Sequence, residues 1–318
     1  YSKERITIQQ FTVVLQGQQI MPKWFISAEE LHQLDLDNTV IFDCRFSLAD
    51  KNKGRNLYLN EHIPNAFHLD METNLSTPNQ QSTSKQLHGG RHPLPYPETF
   101  IQKMQRCGVN HNSLVIAYDD NRLAGSARLW WLLKLYGHSR IKILDGGISA
   151  WKASGFLTTQ ETPKTSSGII KGNFSGNINS KLIVDHNWVR QFIGDKETTL
   201  IDSREAPRYL GLEEPIDPIA GHIPGAINSP WQLVTDEAGF VKPHDQQKLI
   251  WKSLPISESP VVYCGSGVTA CVNLLSLSLS GIDNARLYAG SWTDWCSYPA
   301  NPVEPPHSSH ENFAHNHL

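Results

Sequence analysis

The sequence lacks long hydrophobic runs and any marked excess of charge of one sign. Its 318 residues contain no stretch of about 18 apolar residues, the length that a transmembrane helix needs. The net charge of −3 at pH 7 provides no basic excess for binding nucleic acid or an anionic membrane surface. The N-terminal segment YSKERITIQQFTVVLQGQQI lacks the apolar core of a signal peptide. Nucleic acid and membranes are therefore not expected as partners.

Paired cysteines are also lacking. The five cysteines are an odd number, contain no CxxC pair and show no Cys/His spacing typical of a metal site. This pattern argues against a disulfide framework and predicts reduced thiols in a cytoplasmic compartment. No cofactor and no metal are implied. The cysteines are Cys44, Cys107, Cys264, Cys271 and Cys296.

What the sequence does contain is an internal repeat, because four segments of the first half recur in the same order in the second. They are NTVIFDCRF (38–46) with TTLIDSREA (198–206), NEHIPNAFHLD (60–70) with AGHIPGAINSP (220–230), LVIAYDD (114–120) with PVVYCGS (260–266), and LDGGISAWKASG (144–155) with YAGSWTDWCSYP (288–299). We therefore predict a first domain over 24–157 and a second over 181–303. The segment 158–180, rich in Gly, Ser, Thr and Asn, is predicted to be a linker that crosses the surface.

Each half predicts an α/β domain. Short apolar runs alternate with helix-length segments, such as 125–137 and 269–281, which stop at Gly137 and Gly281. Ser27 is a candidate N-cap for another helix. Alternation of this kind predicts a mostly parallel sheet with helices on both faces. Ligands of such sheets bind beyond the carboxyl ends of the strands, where Cys264 lies.

The segment VVYCGSGVTAC (261–271) is the strongest candidate for chemistry. A β-branched strand leads into Cys264, and Gly265 and Gly267 allow the backbone to turn several N–H groups inward. The positive end of the following helix would also stabilise a thiolate. A lone cysteine is more often a small core residue, but the flanking glycines and the helix start favour a reactive thiol.

Two cysteine chemistries use a strand, a loop and a helix in this order. A phosphatase with the C-x5-R motif would need arginine six residues after Cys264, and this position holds Ala270. Sulfur transfer through a persulfide needs no arginine in the loop, since a ring of N–H groups can hold a monovalent anion.

These features resemble the tandem-domain rhodanese-family sulfurtransferases, from about Trp24 to Val303. CGSGVTA is similar to the active loop of the 3-mercaptopyruvate branch, whereas the thiosulfate branch usually carries basic residues directly after the cysteine. The paired HIP segments and GRHPLP (90–95) are further family marks. The resemblance implies a catalytic cysteine at 264. The loop residues that it implies for substrate binding are Gly265, Gly267, Val268 and Thr269.

The first repeat differs at the position that matters most. Aligning Tyr118 with Tyr263 places Asp119 where the second repeat has Cys264. A carboxylate cannot accept sulfane sulfur, so the first domain is predicted to be catalytically silent.

Two arginines of DSREAPRYLG are candidate substrate ligands. Arg208 resembles a family arginine that contacts the carboxylate of the substrate, a task that suits its planar fork. Arg204 could contribute as well, although a structural ion pair is the more ordinary role so close to a strand. A second carboxylate-binding arginine commonly follows the family's "EP", and here that place holds Asp217, which would repel an anion.

Proton handling suggests a further set of residues. Ser266 resembles a serine of the family's Ser/His/Asp set, although it could simply hydrogen-bond within its loop. His62, in the first HIP, is the candidate histidine, with Asp50 as its possible partner. The twin His222 in the second HIP equally permits a structural role.

The sequence thus predicts a sulfurtransferase in which Cys264 takes sulfur from 3-mercaptopyruvate and passes it to a thiol such as thioredoxin or a small thiol, or to cyanide. Thiosulfate is the alternative donor. A non-catalytic rhodanese-like module that binds a partner or senses redox state is the alternative of another class.

Overall fold

A computed structural model describes residues 21–78, 88–163 and 171–304, and shows two α/β domains of equal topology. Each domain has a five-stranded sheet in which every pairing is parallel. The strand orders, β1-β5-β4-β2-β3 and β6-β10-β9-β7-β8, are the same when the second domain is renumbered from its own first strand. The predicted fold class is confirmed.

The first domain alternates strands and helices along the chain. Its elements are β1 (Phe25–Ile26), α1 (Ala28–Gln33), β2 (Thr39–Asp43), α2 (Lys53–Asn60), β3 (Ala66–His68), α3 (Pro97–Arg106), β4 (Leu114–Tyr118), α4 (Ala124–Leu135), β5 (Ile141–Leu144) and α5 (Gly147–Ala153). Ser27 caps α1 in a capping box with Glu30, as its position predicts.

The second domain repeats the pattern with shorter strands and two added 3₁₀ turns, Ser180–Leu182 and Trp231–Val234. Its elements are β6 (Ile183–Val184), α6 (His186–Phe192), β7 (Leu200–Asp202), α7 (Ala206–Tyr209), β8 (Ile227–Asn228), α8 (His244–Lys252), β9 (Val261–Tyr263), α9 (Ala270–Leu279), β10 (Arg286–Tyr288) and α10 (Ser291–Cys296).

Both faces of each sheet are covered. In β2, Val40 and Phe42 pack in a core that both domains share, whereas Ile41 packs in a separate cluster with Ile148 and Trp151. The period of two in a strand sends neighbouring side chains to opposite faces, so a strand that is apolar throughout needs a helix layer on each side.

Helices α4 and α9 join the two domains. Both are buried along almost their whole length, because they pack against each other between the two sheets. The indole of Trp24 in the first domain donates a hydrogen bond to Ser278 Oγ of α9 at 3.1 Å. The domains therefore share one hydrophobic core, which fixes the loops at the N-termini of α4 and α9 relative to each other.

The predicted linker lies partly outside the described residues, at 164–170. Its later part, 171–179, runs along the first domain, and Phe174 is fully buried against Phe100 and Tyr136. This part crosses the surface of the first domain and is anchored there by the buried ring of Phe174. In the described parts of the chain, no helix is long and apolar enough to cross a membrane.

Candidate active site

Residues 264–269, which we call the thiol loop, connect β9 to α9 and hold the sulfur of Cys264 in place. The N–H of Gly267 donates to Cys264 Sγ at 3.1 Å. Gly267 has a φ of +77°, and a Cβ atom there would lie 2.4 Å from Ala289 O, so only glycine fits. Cys264 itself is 2% exposed. The side chain of Val268 is buried in the shared core, and Thr269 is half-buried.

Residues at the start of α10 hydrogen-bond to the backbone of the thiol loop. Ser291 Oγ accepts the N–H of Cys264 at 3.2 Å, and the N–H of Thr293 donates to Gly265 O at 3.0 Å. These contacts fix the backbone on both sides of the sulfur.

A histidine from the first domain reaches Ser266. His92 Nδ1 lies 2.8 Å from Ser266 Oγ, and its Nε2 lies 3.0 Å from Glu72 Oε1. Burial lowers the pKa of His92 below its usual value of 6.5, against the opposing effect of Glu72. In a neutral ring that donates Nε2–H to Glu72, Nδ1 is the unprotonated nitrogen and accepts a hydrogen bond from the Ser266 hydroxyl. The set is therefore arranged to accept a proton near Cys264.

The structure does not bring His62 to Ser266, which corrects the choice of histidine. The His62 ring is fully buried, with Nδ1 2.7 Å from Tyr58 O and Nε2 3.1 Å from Glu161 O. His222 has the equivalent place in the second domain, 2.8 Å from Tyr209 O. Both histidines stack on a tyrosine and fix a turn. Asp50 is exposed and accepts the N–H of Asn52, so it does not serve as a partner for His62.

Arg204 is also used structurally. Its guanidinium is 1% exposed and binds Asp202 (2.6 Å), Glu214 (3.1 Å) and Gly221 O (2.7 Å). Arg45 pairs with Asp43 in the same way in the first domain, at 2.6 Å. A buried pair that recurs in both repeats explains why an arginine follows the strand aspartate by two residues.

Arg208 does reach the thiol loop, and a second arginine joins it. A Cβ atom placed on Gly265 would lie 3.0 Å from Arg91 Nη2 and 3.5 Å from Arg208 Nη1. Two guanidinium groups, one from each domain, therefore border the residue after Cys264. Arg91 belongs to GRHPLP, a motif singled out from the sequence without a role for its individual residues.

Asp217 lies between these two arginines. Its carboxylate binds Arg91 Nη1, Arg208 Nη2 (3.2 Å) and Thr293 Oγ1 (2.7 Å), and it is 1% exposed. Glu214 accepts from the same Arg208 Nη2 at 2.7 Å. Asp217 thus acts as a shared counter-ion rather than as a bare negative charge in the pocket. Within the described residues, no cluster of His, Cys, Asp and Glu is arranged to hold a metal.

Comparison with known proteins shows which family this chain resembles. The family model for the rhodanese-like domain matches twice, at residues 27–154 and 185–298. A probable 3-mercaptopyruvate sulfurtransferase of Pseudomonas aeruginosa is 39% identical over 287 residues, which cover 87% of this chain and 96% of the relative. A thiosulfate sulfurtransferase of Rattus norvegicus is 27% identical over 80% of this chain and 84% of its own length.

A solved structure shares both domains. The crystal structure of SseA, a 3-mercaptopyruvate sulfotransferase from Escherichia coli, superimposes with a TM-score of 0.71 at 31% identity, covering 85% of this chain and 98% of that chain. These similarities favour an enzyme over a non-catalytic binding module. The chain belongs to the rhodanese family, as a sulfurtransferase with two tandem rhodanese domains.

Proposed function

We propose that the protein takes sulfur from 3-mercaptopyruvate onto Cys264 and passes it to a thiol or to cyanide. The Cys264 thiolate attacks the sulfur of the donor, the carbon–sulfur bond breaks, and the electron pair leaves on the enolate of pyruvate. The thiol proton of the donor ends on the methyl carbon of pyruvate. Cys264 is left as a persulfide anion.

The observation that carries the choice of donor is the contact between Ser266 and His92. Ser266 lies two residues after Cys264 in the thiol loop. Transfer from 3-mercaptopyruvate has to remove a proton from the donor thiol and deliver one to the enolate. Transfer from thiosulfate releases sulfite and moves no such proton. A buried neutral histidine with a carboxylate behind it suits the first reaction.

The charges next to Gly265 also support a monoanionic donor. The planar forks of Arg91 and Arg208 can bind a carboxylate in two-point fashion. The linked cluster contains three arginines and three carboxylates, so its formal charges cancel before a donor binds. Its members are Arg91, Arg204, Arg208, Asp202, Glu214 and Asp217. A neutral cluster offers less net attraction to a dianion than a basic one does.

The second half-reaction regenerates the enzyme. A thiolate acceptor, such as reduced thioredoxin or a small thiol, attacks the outer sulfur of the persulfide and leaves with it, which returns the Cys264 thiolate. Cyanide would leave as thiocyanate. The domain over 24–157, with Asp119 in place of cysteine, takes up no sulfur in this scheme.

Thiosulfate is the second candidate donor, favoured by the relatives that are named thiosulfate sulfurtransferases. The test is to compare kcat/KM for both donors and to measure by mass spectrometry the gain of one sulfur, about 32 Da, on Cys264. We expect 3-mercaptopyruvate to be the better donor. A higher kcat/KM for thiosulfate would overturn the choice of donor, and a mass gain that persists in Cys264→Ser would overturn the mechanism.

A further inference from the structure

Arg128 of the first domain contacts the thiol loop of the second domain. It belongs to α4, is fully buried, and extends three N–H contacts to backbone carbonyls. Its Nη1 donates to Gly267 O at 3.0 Å, its Nη2 to His92 O at 3.1 Å, and its Nε to Leu75 O at 3.2 Å. One side chain therefore joins three segments from two domains.

This guanidinium binds carbonyl oxygens rather than a carboxylate of the described residues. Across residues 21–78, 88–163 and 171–304, no acidic group lies within ion-pair distance of Arg128. The other fully buried arginines, Arg45 and Arg204, are paired with Asp43 and Asp202. A buried cation without a counter-ion is costly, and carbonyl oxygens compensate it only in part. The position therefore favours an anion that forms nearby.

Gly267 links this cation to the sulfur. Its N–H donates to Cys264 Sγ at 3.1 Å, and its carbonyl accepts from Arg128 at 3.0 Å. The second carbonyl that Arg128 holds belongs to His92, whose ring binds Ser266. Arg128 therefore fixes at once the residue that donates to the sulfur and the residue that handles the proton.

The other charged groups around the thiol loop are already compensated. Arg91 and Arg208 share Asp217, and Glu214 binds Arg208 as well. Glu72 accepts from the neutral His92 ring and lies 3.8 Å from Lys51 Nζ. The neighbouring thiol of Cys271 donates to Gly267 O at 3.4 Å, and burial raises its pKa to about 12, so it contributes no charge near neutral pH.

We propose that Arg128 is a positioning residue of the sulfurtransferase: its buried charge stabilises anionic sulfur at Cys264, and its hydrogen bonds to Gly267 O and His92 O hold these two residues in position. The role applies to the thiolate and to the persulfide anion alike. It does not depend on which donor supplies the sulfur. The first domain, although predicted to be silent, would then contribute to the chemistry of the second.

The test measures the rate at which iodoacetamide alkylates Cys264 as a function of pH, followed by peptide mapping. This reaction needs no sulfur donor, so its result is independent of the donor proposed above. Arg128→Met removes the charge and the hydrogen bonds, and Arg128→Gln removes the charge but keeps an amide donor. Both should slow alkylation at pH 6.5 about tenfold and raise the midpoint of the profile by about one unit.

Two controls separate charge from loss of stability. Arg45→Met removes a buried arginine of the same domain that has its own carboxylate, and it should leave the midpoint unchanged. Arg128→Lys keeps the charge and should retain the wild-type midpoint, while kcat falls several-fold because an ammonium group cannot hold three carbonyls with one planar fork.

The proposal is overturned if folded Arg128→Met or Arg128→Gln keeps the wild-type midpoint, or if Arg45→Met shifts it equally. Circular dichroism establishes which variants are folded. If Arg128→Met does not fold, Arg128→Gln and Arg128→Lys decide: a raised midpoint in the first alone supports the role of the charge, and equal midpoints contradict it.

Discussion

The loops that follow β4 and β9 begin with different side chains, Asp119 and Cys264, and each of these side chains accepts backbone N–H groups of its own loop. In the second domain the N–H of Gly267 donates to the sulfur of Cys264. In the first, residues 119–126, the carboxylate loop, wrap around Asp119. Its oxygens accept N–H groups of Asn121 (2.9 Å), Leu123 (3.2 Å) and Ser126 (2.8 Å), and the Ser126 hydroxyl at 2.7 Å. Both repeats thus direct backbone N–H groups at the first side chain of this loop, and we expect that side chain to decide whether the loop can carry sulfur.

Each domain also covers the loop of the other. Residues 88–94 of the first domain place Arg91 and His92 over the thiol loop. Residues 232–241 of the second domain lie over the carboxylate loop, where Arg122 donates to Thr235 Oγ1 at 2.8 Å. The covers are related by the repeat, but among the described residues only the first brings a histidine to the loop that it covers. We therefore expect the catalytic difference between the domains to depend on the covers as well as on Cys264 and Asp119.

The largest expected effect comes from removing the thiol of Cys264 and placing a cysteine at position 119 instead. Cys264→Ser should reduce sulfur transfer by about 10³-fold or more, because the nucleophile is lost. Adding Asp119→Cys to that variant should not restore turnover. The carboxylate loop follows a different path, with Arg122 and Leu123 at φ values of +49° and +75°, and no histidine among the described residues contacts it. Turnover with 3-mercaptopyruvate is measured, and recovery in the double variant would show that the side chain alone makes the difference.

The second largest effect is expected at His92, in the segment 88–94 that covers the thiol loop. His92→Asn should lower kcat for 3-mercaptopyruvate by about 10²-fold, in the range expected for a lost general base, and should affect thiosulfate much less. Because burial lowers the pKa of His92, the neutral ring persists below pH 6.5, and activity should fall only as the pH drops through that lowered pKa. His62→Asn is the matched control and should leave kcat of the folded protein within about twofold. A larger loss in the control would return the role to His62.

The sequence predicts the site residues that lie within one domain, but not those that the packing of the two domains brings to the site. Cys264, Ser266 and Arg208 lie within short motifs of one domain, so the chain order alone brings them to one strand edge. Arg91 and His92 come from the other domain, and the sequence gives no measure of how the two repeats pack. His62 is the candidate that the first HIP segment offers, and its twin His222 lies in the second. A repeated motif, however, indicates a shared structural task, which is what the contacts of His62 and His222 show.

A smaller effect concerns the charge between the two arginines. Asp217→Asn removes one negative charge while keeping an oxygen for Arg91, and should raise kcat/KM for thiosulfate relative to 3-mercaptopyruvate about tenfold. The added positive potential favours a dianion more than a monoanion. Glu213→Gln, on the exposed side of the same loop, is the matched control and should leave the ratio unchanged. An unaltered ratio in Asp217→Asn would mean that this cluster does not select the donor.

The smallest effect lies at the cover of the carboxylate loop. Asp145 accepts the N–H of Val241 at 2.8 Å across the domain boundary, and burial, with a contribution from Asp236, raises its pKa to about 6. The folded state therefore binds the proton of Asp145 more tightly than the unfolded state. This contribution to stability is largest at low pH and is lost as the pH rises from about 4 to about 6.

Asp145→Asn keeps the accepting oxygen without the charge. After allowance for partial exposure to solvent, it should raise the free energy of unfolding at pH 7 by about 1 kcal/mol and change it little at pH 4. Urea unfolding at both pH values measures this. A loss of stability at pH 7 would mean that the ionised carboxylate holds the 232–241 segment in place. The cover of the carboxylate loop would then depend on charge, as the cover of the thiol loop does through Arg91 and Asp217.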